Sequence, residues 1–246
     1  MGKCDTLRRR FYTPAQYDND EVFLELVQAC VGRGMVVLDL GAGTGRKFQY
    51  ALKSRVEPDG EVIGADFDAR VRDNPLVHRG VVLQGHELPF AENTFDVVFT
   101  RYVLEHVTDP AEFLGQVWRV LKPGGSFLFL TPNKWHYVCL AARCTPKAFH
   151  QSYNRRRGRD ETDTFPTVYR LNARSAIRRD LLKAGFLEKD LRMRECCPNY
   201  LTLAAPLFLV GVAYERIVNS TDLLSGLRVN ILGHFVKPNG DRQATS

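Results

Sequence analysis

The chain has 246 residues, of which 44% are hydrophobic and 25% charged. This composition is typical of a folded globular protein and excludes a disordered one. Lys and Arg number 34 against 28 Asp and Glu, so the formal net charge is +6. A surplus this small over this length disfavours nucleic acid as a partner.

The cysteines indicate the redox environment. They form no Cys-x-x-Cys pair, and the chain lacks the basic, apolar and small-residue order of a secretory signal. We therefore expect a cytoplasmic protein with free thiols and no bound metal. The six residues are Cys4, Cys30, Cys139, Cys144, Cys196 and Cys197.

Short apolar runs alternate with helical patterns along the chain, which is typical of βαβ units. The predicted strands are 35–40, 61–65, 81–83, 95–100, 126–131, 186–195 and 227–235. The predicted helices are 20–31, 45–54, 110–121 and 172–185. Asp109 and Pro110 begin one helix as N-cap and first helical residue, and residues 122–125 end it. The pattern predicts an α/β, Rossmann-like, doubly wound, mostly parallel seven-stranded sheet with helices on both faces.

The first strand ends in a glycine-rich turn. Gly41, Gly43 and Gly45 follow one another at every second position, and Asp39 lies two residues before the first of them. Arg46 stands where the dinucleotide fingerprint has its third glycine, which disfavours NAD or FAD. The pattern resembles motif I of the class I S-adenosylmethionine-dependent methyltransferases. The resemblance implies that these four residues line the amino-acid end of the cofactor S-adenosyl-L-methionine.

The end of the second strand carries a ribose-binding signal. Asp66 comes 21 residues after Gly45, where a carboxylate can accept hydrogen bonds from both ribose hydroxyls. Phe67 follows it and is assigned to the same cofactor site. A solvated turn aspartate is the alternative interpretation.

Three further motifs are similar to the type 11 methyltransferases, the group that includes ubiquinone and menaquinone methyltransferases. They are the Leu-Pro-Phe and Phe-Asp run at 88–98, residues 103–107 and residues 119–125. Relatives often carry Gly-Asp-Ala before the Leu-Pro-Phe element, whereas this chain has Gln-Gly-His-Glu there. The resemblance assigns the adenine contacts to His86, Glu87 and Leu88, which stand at this departure from the family pattern.

The resemblance also divides the chain. It implies a single methyltransferase domain, 1–246, with a cofactor-binding core at 36–133. An insertion after strand 5, at 134–170, is expected to form a lid, and 171–246 to complete the sheet with an apolar segment at 201–213.

Residues after the fourth and fifth strands are candidates for cofactor contact and chemistry. The resemblance implies that Arg101 contacts the cofactor and Tyr102 the substrate. His106 and His136 are the candidate proton acceptors, because an imidazole suits that task. For Glu105 and His106 the alternative is that they fix the turn after the strand by hydrogen bonding. Further substrate candidates lie in or beside the insertion: Tyr137, His150, Tyr169 and Arg170.

Two features of the carboxyl-terminal half leave alternatives open. Between 143 and 179 ten basic residues stand against three acids, which is consistent with a solvated face, an anionic small molecule, a phospholipid surface or RNA. The apolar segment 201–213 is expected to pack in the core, to form a wall of the substrate pocket or to contact a membrane surface peripherally.

The function predicted is methyl transfer from S-adenosyl-L-methionine to a small molecule, anionic or lipophilic, at oxygen, by in-line displacement with general-base help. The alternatives are a membrane-surface enzyme acting on a lipophilic substrate and a non-catalytic cofactor-binding protein. Nucleic-acid methylation ranks third, because the chain lacks an Asn-Pro-Pro-Tyr type motif.

Overall fold

The described part of the chain forms one sheet flanked by helices. The computed structural model describes residues 3–45, 50–144, 166–202 and 204–240. Its helices are α1 (Lys3–Phe11), α2 (Asp20–Cys30), α3 (Lys53–Val56), α4 (Pro110–Val120), α5 (Tyr137–Cys144), α6 (Arg174–Lys183) and α7 (Ala205–Asn219). Its strands are β1 (Val36–Leu40), β2 (Glu61–Asp66), β3 (Arg79–Val82), β4 (Phe95–Arg101), β5 (Leu121–Pro132), β6 (Leu187–Arg194) and β7 (Asn230–Val236).

The strands form a seven-stranded sheet in the order β3-β2-β1-β4-β5-β7-β6. Strand β7 runs antiparallel to both of its neighbours, and the other pairs are parallel. The predicted fold class is therefore confirmed. The strand order reverses between β1 and β4, so a crevice opens outside the carboxyl ends of these two strands, where open α/β sheets bind ligands.

The side chains of alternate strand residues pack into two hydrophobic cores, one on each face of the sheet. On one face α4 and α6 pack through side chains such as Leu114 and Ile177. On the other face α2 packs through Phe23 and Val27. The sheet is thus covered on both sides, which explains its near-continuous apolar strands.

The start of α4 follows the sequence prediction. The Oδ1 atom of Asp109 accepts hydrogen bonds from the amides of Ala111 and Glu112, both at 3.0 Å, and Pro110 is the first helical residue. The helix ends at Val120, two residues before the predicted stop at 122–125. Strand β5 begins earlier than predicted, because the amide of Gly124 donates to the Lys237 carbonyl at 2.8 Å, just beyond β7.

The helix predicted at 45–54 is wrong at 50–52 and correct at 53–54. Residues 50–52 are not helical, and α3 begins only at Lys53. Tyr50 and Leu52 are both buried in the core, and this packing overrides the local helical pattern. Residues 46–49 lie outside the described residues.

The carboxyl-terminal part adds helices that the sequence did not predict. Within the predicted insertion, α5 is described, while residues 145–165 lie outside the described residues. Helix α7 packs on α1 through a small separate core that includes Tyr12, Phe208 and Val212. The part of the apolar segment that lies in α7 is therefore buried on one side only, since Leu209 and Val210 are exposed. Among the described helices none has both the length and the apolar character needed to cross a bilayer.

Candidate functional site

The glycine turn joins β1 to the crevice. The Gly41 amide donates to the Ala65 carbonyl of β2 at 2.7 Å, and Gly41 and Gly43 have φ angles of +87° and +53°. A Cβ atom on Gly41 would lie 2.2 Å from the Val103 side chain, whereas one on Gly43 would meet nothing within 4 Å. The turn is therefore packed against protein at its first glycine and open at its second.

Asp39 lies buried beneath this turn. The Tyr50 hydroxyl donates to its Oδ2 atom. Burial raises the pKa of Asp39 to about 7, although the Tyr50 hydrogen bond and the nearby charge of Arg101 act in the opposite direction. A carboxyl with such a pKa is partly protonated at neutral pH and becomes an anion when a cation approaches.

Asp66 is held rigidly at the end of β2. Its Oδ2 atom accepts from the Gly43 amide at 2.8 Å and its Oδ1 atom from the Asp68 amide at 2.9 Å. The side chain is half-buried, and a carboxylate has about four acceptor sites, so two bonds leave capacity for a ligand. Next to it the Phe67 ring is 55% exposed and offers an aromatic surface.

The three residues predicted to contact adenine lie in the loop between β3 and β4 and differ in burial. His86 and Glu87 are exposed. Leu88 is buried in the core, and its carbonyl accepts from Arg119 Nη2 of α4 at 2.7 Å. Leu88 therefore anchors the loop on α4, and the two residues before it are left at the surface.

Arg101 and Tyr102 end β4. Arg101 Nη1 lies 3.0 Å from Asp20 Oδ2 at the start of α2, and this ion pair is largely buried. Tyr102 is half-buried with a φ of +56°, and its amide donates to the Leu130 carbonyl of β5 at 2.8 Å. Both residues stand at the crevice, but Arg101 is already committed to a protein carboxylate.

Glu105 and His106 connect β4 to the end of the insertion. Burial raises the pKa of Glu105 to about 7, and the Thr131 hydroxyl donates to its Oε2 atom at 3.2 Å. The Glu105 carbonyl accepts from the amides of Val168 and Tyr169. His106 Nδ1 lies 3.0 Å from the Pro166 carbonyl. Together these contacts hold residues 166–169 against the carboxyl end of β4.

His136 forms a buried pair that the sequence did not predict. Its Nε2 atom lies 3.3 Å from Glu195 Oε2, and both side chains are almost fully buried. Its Nδ1 atom accepts from the Val138 amide at 3.4 Å. Glu195 follows β6 directly, and a polar residue in that position is the signal that could have revealed it.

Aromatic rings surround this pair. The His136 ring lies 4.1 Å from the Tyr137 ring and 5.7 Å from the Tyr214 ring of α7. The two tyrosine rings meet edge to face at 5.0 Å. Burial raises the pKa of Tyr214 to about 12. The phenols therefore stay neutral at physiological pH, and the cluster is aromatic rather than anionic.

The other predicted substrate residues are placed differently. Tyr169 is half-buried beside the Glu105 backbone, and Arg170 is exposed in a turn. His150 lies outside the described residues. A surface cavity of about 410 Å³ borders Trp135, Arg174 and Gly226, and none of the predicted substrate residues lines it.

Part of the basic stretch is neutralised by ion pairs. Arg178 Nη2 lies 2.6 Å from Glu188 Oε1, and Arg179 Nε lies 2.7 Å from Asp180 Oδ1. The Arg-rich centre at 155–159 lies outside the described residues. The described part of this stretch therefore presents less free positive charge than the sequence count indicates.

Comparison with known proteins finds a match for the part of the chain that contains the glycine turn. Residues 38–129, which include the glycine turn, Asp66 and the β4 end, match the family model of the methyltransferase domain. Residues 38–129 therefore match the methyltransferase domain of the type 11 family of class I S-adenosylmethionine-dependent methyltransferases, and this match covers less than half of the chain. The cofactor of the domain is S-adenosyl-L-methionine.

Two relatives share this methyltransferase domain. The ubiquinone/menaquinone biosynthesis C-methyltransferase UbiE of Idiomarina loihiensis is 40% identical over 114 residues, covering 42% of this chain and 45% of that protein. The demethylmenaquinone methyltransferase of Lactiplantibacillus plantarum is 37% identical over 111 residues, covering 40% of this chain and 45% of that protein. The chain thus spans less than half the length of these relatives.

The structural similarity to known proteins extends beyond residues 38–129. A solved structure, an S-adenosylmethionine-dependent methyltransferase from Aquifex aeolicus, superimposes with a TM-score of 0.53 at 17% identity. The match covers 96% of this chain and all of that one. The likeness concerns the fold, and it covers a larger share of this chain than the sequence relatives do.

Proposed function

We propose that this protein transfers the methyl group of S-adenosyl-L-methionine to a small molecule that carries an acidic hydroxyl group. The observation that carries the proposal is the convergence of three features at one edge of the sheet. The glycine turn with Asp39, the fixed carboxylate of Asp66 and the Glu105–His106 turn lie at the carboxyl ends of β1, β2 and β4. This edge is where open α/β folds bind ligands and react them.

The cofactor residues follow from this placement. Asp66 would accept the ribose hydroxyls, Phe67 would cover one face of the purine, and Gly41, Gly43 and Gly45 would line the amino-acid end. Asp39 would face the cationic end of the cofactor from below the turn, since its carboxyl is readily converted to the anion. His86 and Glu87 would border the adenine from the surface loop, with Leu88 holding that loop.

The cofactor supplies an electrophilic sulfonium methyl group when it is bound, so the protein chiefly aligns the nucleophile and excludes water. Removal of a proton from the acceptor hydroxyl increases its nucleophilicity. His106 suits that step. A carbonyl only accepts, so the contact with Pro166 places the proton on Nδ1 and makes Nε2 the basic nitrogen of the neutral ring.

His136 would then act through position rather than as the base. It is almost fully buried, and its two ring nitrogens face Glu195 and the Val138 amide. Its ring would fix Tyr137 and Tyr214, which, with Tyr102 and Tyr169, supply aromatic walls for the acceptor. Arg170, exposed beside them, would serve an acceptor that carries negative charge.

The acceptor atom is oxygen in this proposal, with carbon as the second candidate. Carbon is favoured by one observation, the name of the Idiomarina loihiensis relative, a C-methyltransferase. Loss of a proton from a phenol or enol makes both its oxygen and the conjugated carbon nucleophilic, so the same base would serve either outcome.

The test is a screen of metabolite extracts with S-adenosyl-L-methionine labelled in the methyl group. We expect labelled product in a fraction of acidic hydroxyl compounds, with an acid-stable methoxyl group on mass analysis. A carbon-bound methyl group would support the second candidate. Cofactor binding with no labelled product from any extract would contradict the enzymatic role.

A further inference from the structure

Helix α7 exposes an apolar surface on the side that faces away from the protein. Between residues 206 and 217 seven positions are exposed, and six of them carry apolar residues. The large side chains among them are Leu207, Leu209, Val210 and Ile217, which we call the α7 face, and Val210 and Ile217 are 64% and 58% exposed. An exposed helix face is normally polar, so this one indicates a partner.

The elements beside α7 extend the apolar surface. The 3₁₀ segment Asp222–Leu227 lies along α7, where the Tyr214 hydroxyl donates to the Leu227 carbonyl at 2.6 Å. Its Leu223 is 94% exposed. Trp135, half exposed, borders the same cavity as Gly226 of this segment. Half of the large apolar side chains exposed in the described residues lie between 207 and 227.

Basic residues flank the surface. Helix α1 also packs on α7 and exposes Arg9 and Arg10. Arg216 Nη2 of α7 donates to the Phe11 carbonyl at 3.2 Å, and Lys134 Nζ lies 5.2 Å from the centre of the Trp135 ring.

The acidic groups nearby are fewer. Glu215 is buried and contacts Arg216, and Asp222 lies 3.3 Å from Arg228. Asp5 is the exposed acid of α1. The surroundings of the apolar surface are therefore net positive.

We propose that the α7 face docks on the surface of an anionic lipid bilayer. An interfacial helix buries apolar side chains at the headgroup boundary while neighbouring Arg and Lys residues meet anionic lipids. Tryptophan is suited to this boundary, since its ring is apolar and its N–H is polar. A second copy of the chain fits less well, because a two-fold contact would bring the same arginines of both copies together.

The proposal is independent of methyl transfer, and its test uses neither cofactor nor substrate. The protein is mixed with vesicles of phosphatidylcholine alone or with 30% phosphatidylglycerol (roughly the anionic fraction that attracts basic segments), and bound protein is measured by sedimentation. We expect binding to the anionic vesicles at least tenfold tighter than to the neutral ones. The double variant Val210→Glu and Ile217→Glu should lose at least tenfold, since both side chains are exposed and circular dichroism should stay unchanged.

The matched control places the same substitutions elsewhere. Leu182→Glu and Leu187→Glu alter two apolar side chains that are about as exposed but lie on α6 and β6. This variant should bind within twofold of the original protein. Arg9→Glu with Arg10→Glu should weaken binding to anionic vesicles about fivefold or more for each charge and remove much of its salt dependence.

Two results would overturn the proposal. Equal vesicle binding by the Val210 and Ile217 double variant and the original protein would show that the α7 face is not the contact. Absence of vesicle binding together with a doubled mass in light scattering, lost in the same variant, would identify a second copy as the partner.

Discussion

Asp39 is the buried acid closest to the cofactor turn, and its protonation connects stability to pH. Burial raises its pKa from an ordinary 3.8 to about 7. The folded state therefore binds more protons than the unfolded state between these values. The stability that this proton supports is fully present below about pH 4 and is lost as the pH rises through 7. Glu105 acts in the same direction, from 4.5 to about 7.

This gives a prediction for Asp39→Asn. The amide side chain is neutral at every pH and can still accept from Tyr50. The free energy of unfolding of the original protein should fall relative to the variant between pH 4 and pH 7, by on the order of 3 kcal/mol. Urea unfolding at a series of pH values measures this difference. A difference that does not change with pH would show that Asp39 is ionised in the folded protein.

His106 can be tested by a substitution that separates hydrogen bonding from basicity. Asparagine can keep a donor near the Nδ1 position toward the Pro166 carbonyl, but it has no basic nitrogen at the position of Nε2. We expect His106→Asn to lower kcat by about 10²- to 10⁴-fold while the affinity for S-adenosylhomocysteine is retained. Kinetics across pH, on the acceptor found in the extract screen, measure the effect.

The outcome for His106 discriminates two roles. If His106 is the general base, the pH dependence of kcat should also change in His106→Asn. If His106→Asn keeps full activity while His106→Ala loses it, the side chain only positions residues 166–169.

At the scale of elements, the β1 turn depends on its first glycine for packing. A Cβ on Gly41 would lie 2.2 Å from Val103 Cγ2, and the φ angle of +87° is strained for any other residue. Gly34 offers a matched control, with a φ of +76° and nothing within 4 Å of where its Cβ would lie.

We therefore expect Gly41→Ala to be more destabilising than Gly34→Ala. The control should cost about 1 kcal/mol from backbone strain alone, and Gly41→Ala about 2–4 kcal/mol, because Val103 must move as well. Thermal and urea unfolding of both variants give the comparison. Equal losses would mean that the turn relaxes without disturbing the packing of β1 on the β4 loop.

The elements also show what can be read from sequence. The strands, the α4 cap at Asp109 and the glycine turn follow from local patterns, since alternation, an N-cap and a glycine run are encoded within a few residues. The non-helical structure of residues 50–52 does not follow from local patterns. Tyr50 donates a hydrogen bond to the buried carboxyl of Asp39, which lies 11 residues away in the sequence. The contact of His136 with Glu195 spans 59 positions and has no local signature.

Within the site, the residues that follow strand ends could be predicted from the sequence, but the groups that form hydrogen bonds with them could not. Asp66 and Glu105 are visible as polar residues after apolar strands. That Asp66 is oriented by Gly43, and that Glu105 holds the chain at 166–169, depends on the packing of distant segments. The sequence thus indicates which residues face the crevice, whereas the folded structure determines which of them are hydrogen-bonded to other parts of the protein.

At the scale of the whole molecule, the positive charge has two parts. Arg178, Arg179 and Arg216 are compensated by neighbouring acids, whereas Arg9 and Arg10 are exposed on α1, which packs on α7. Tyr214 lies on the same helix as that face and touches the predicted substrate residue Tyr137. If the protein docks as proposed, the aromatic cluster comes close to the bilayer, which suits a lipophilic acceptor.

The crevice at β1 and β2 is the proposed binding site of S-adenosyl-L-methionine, and calorimetric titration with S-adenosylhomocysteine is the direct test of this binding. We expect one site per chain with a Kd in the micromolar range (about −8 kcal/mol). Asp66→Ala should weaken binding at least tenfold, and Asp59→Ala, at an exposed turn aspartate, should not. Absence of binding heat with folded protein would show that the crevice does not hold the cofactor, and unchanged affinity in Asp66→Ala would exclude Asp66 as a ligand.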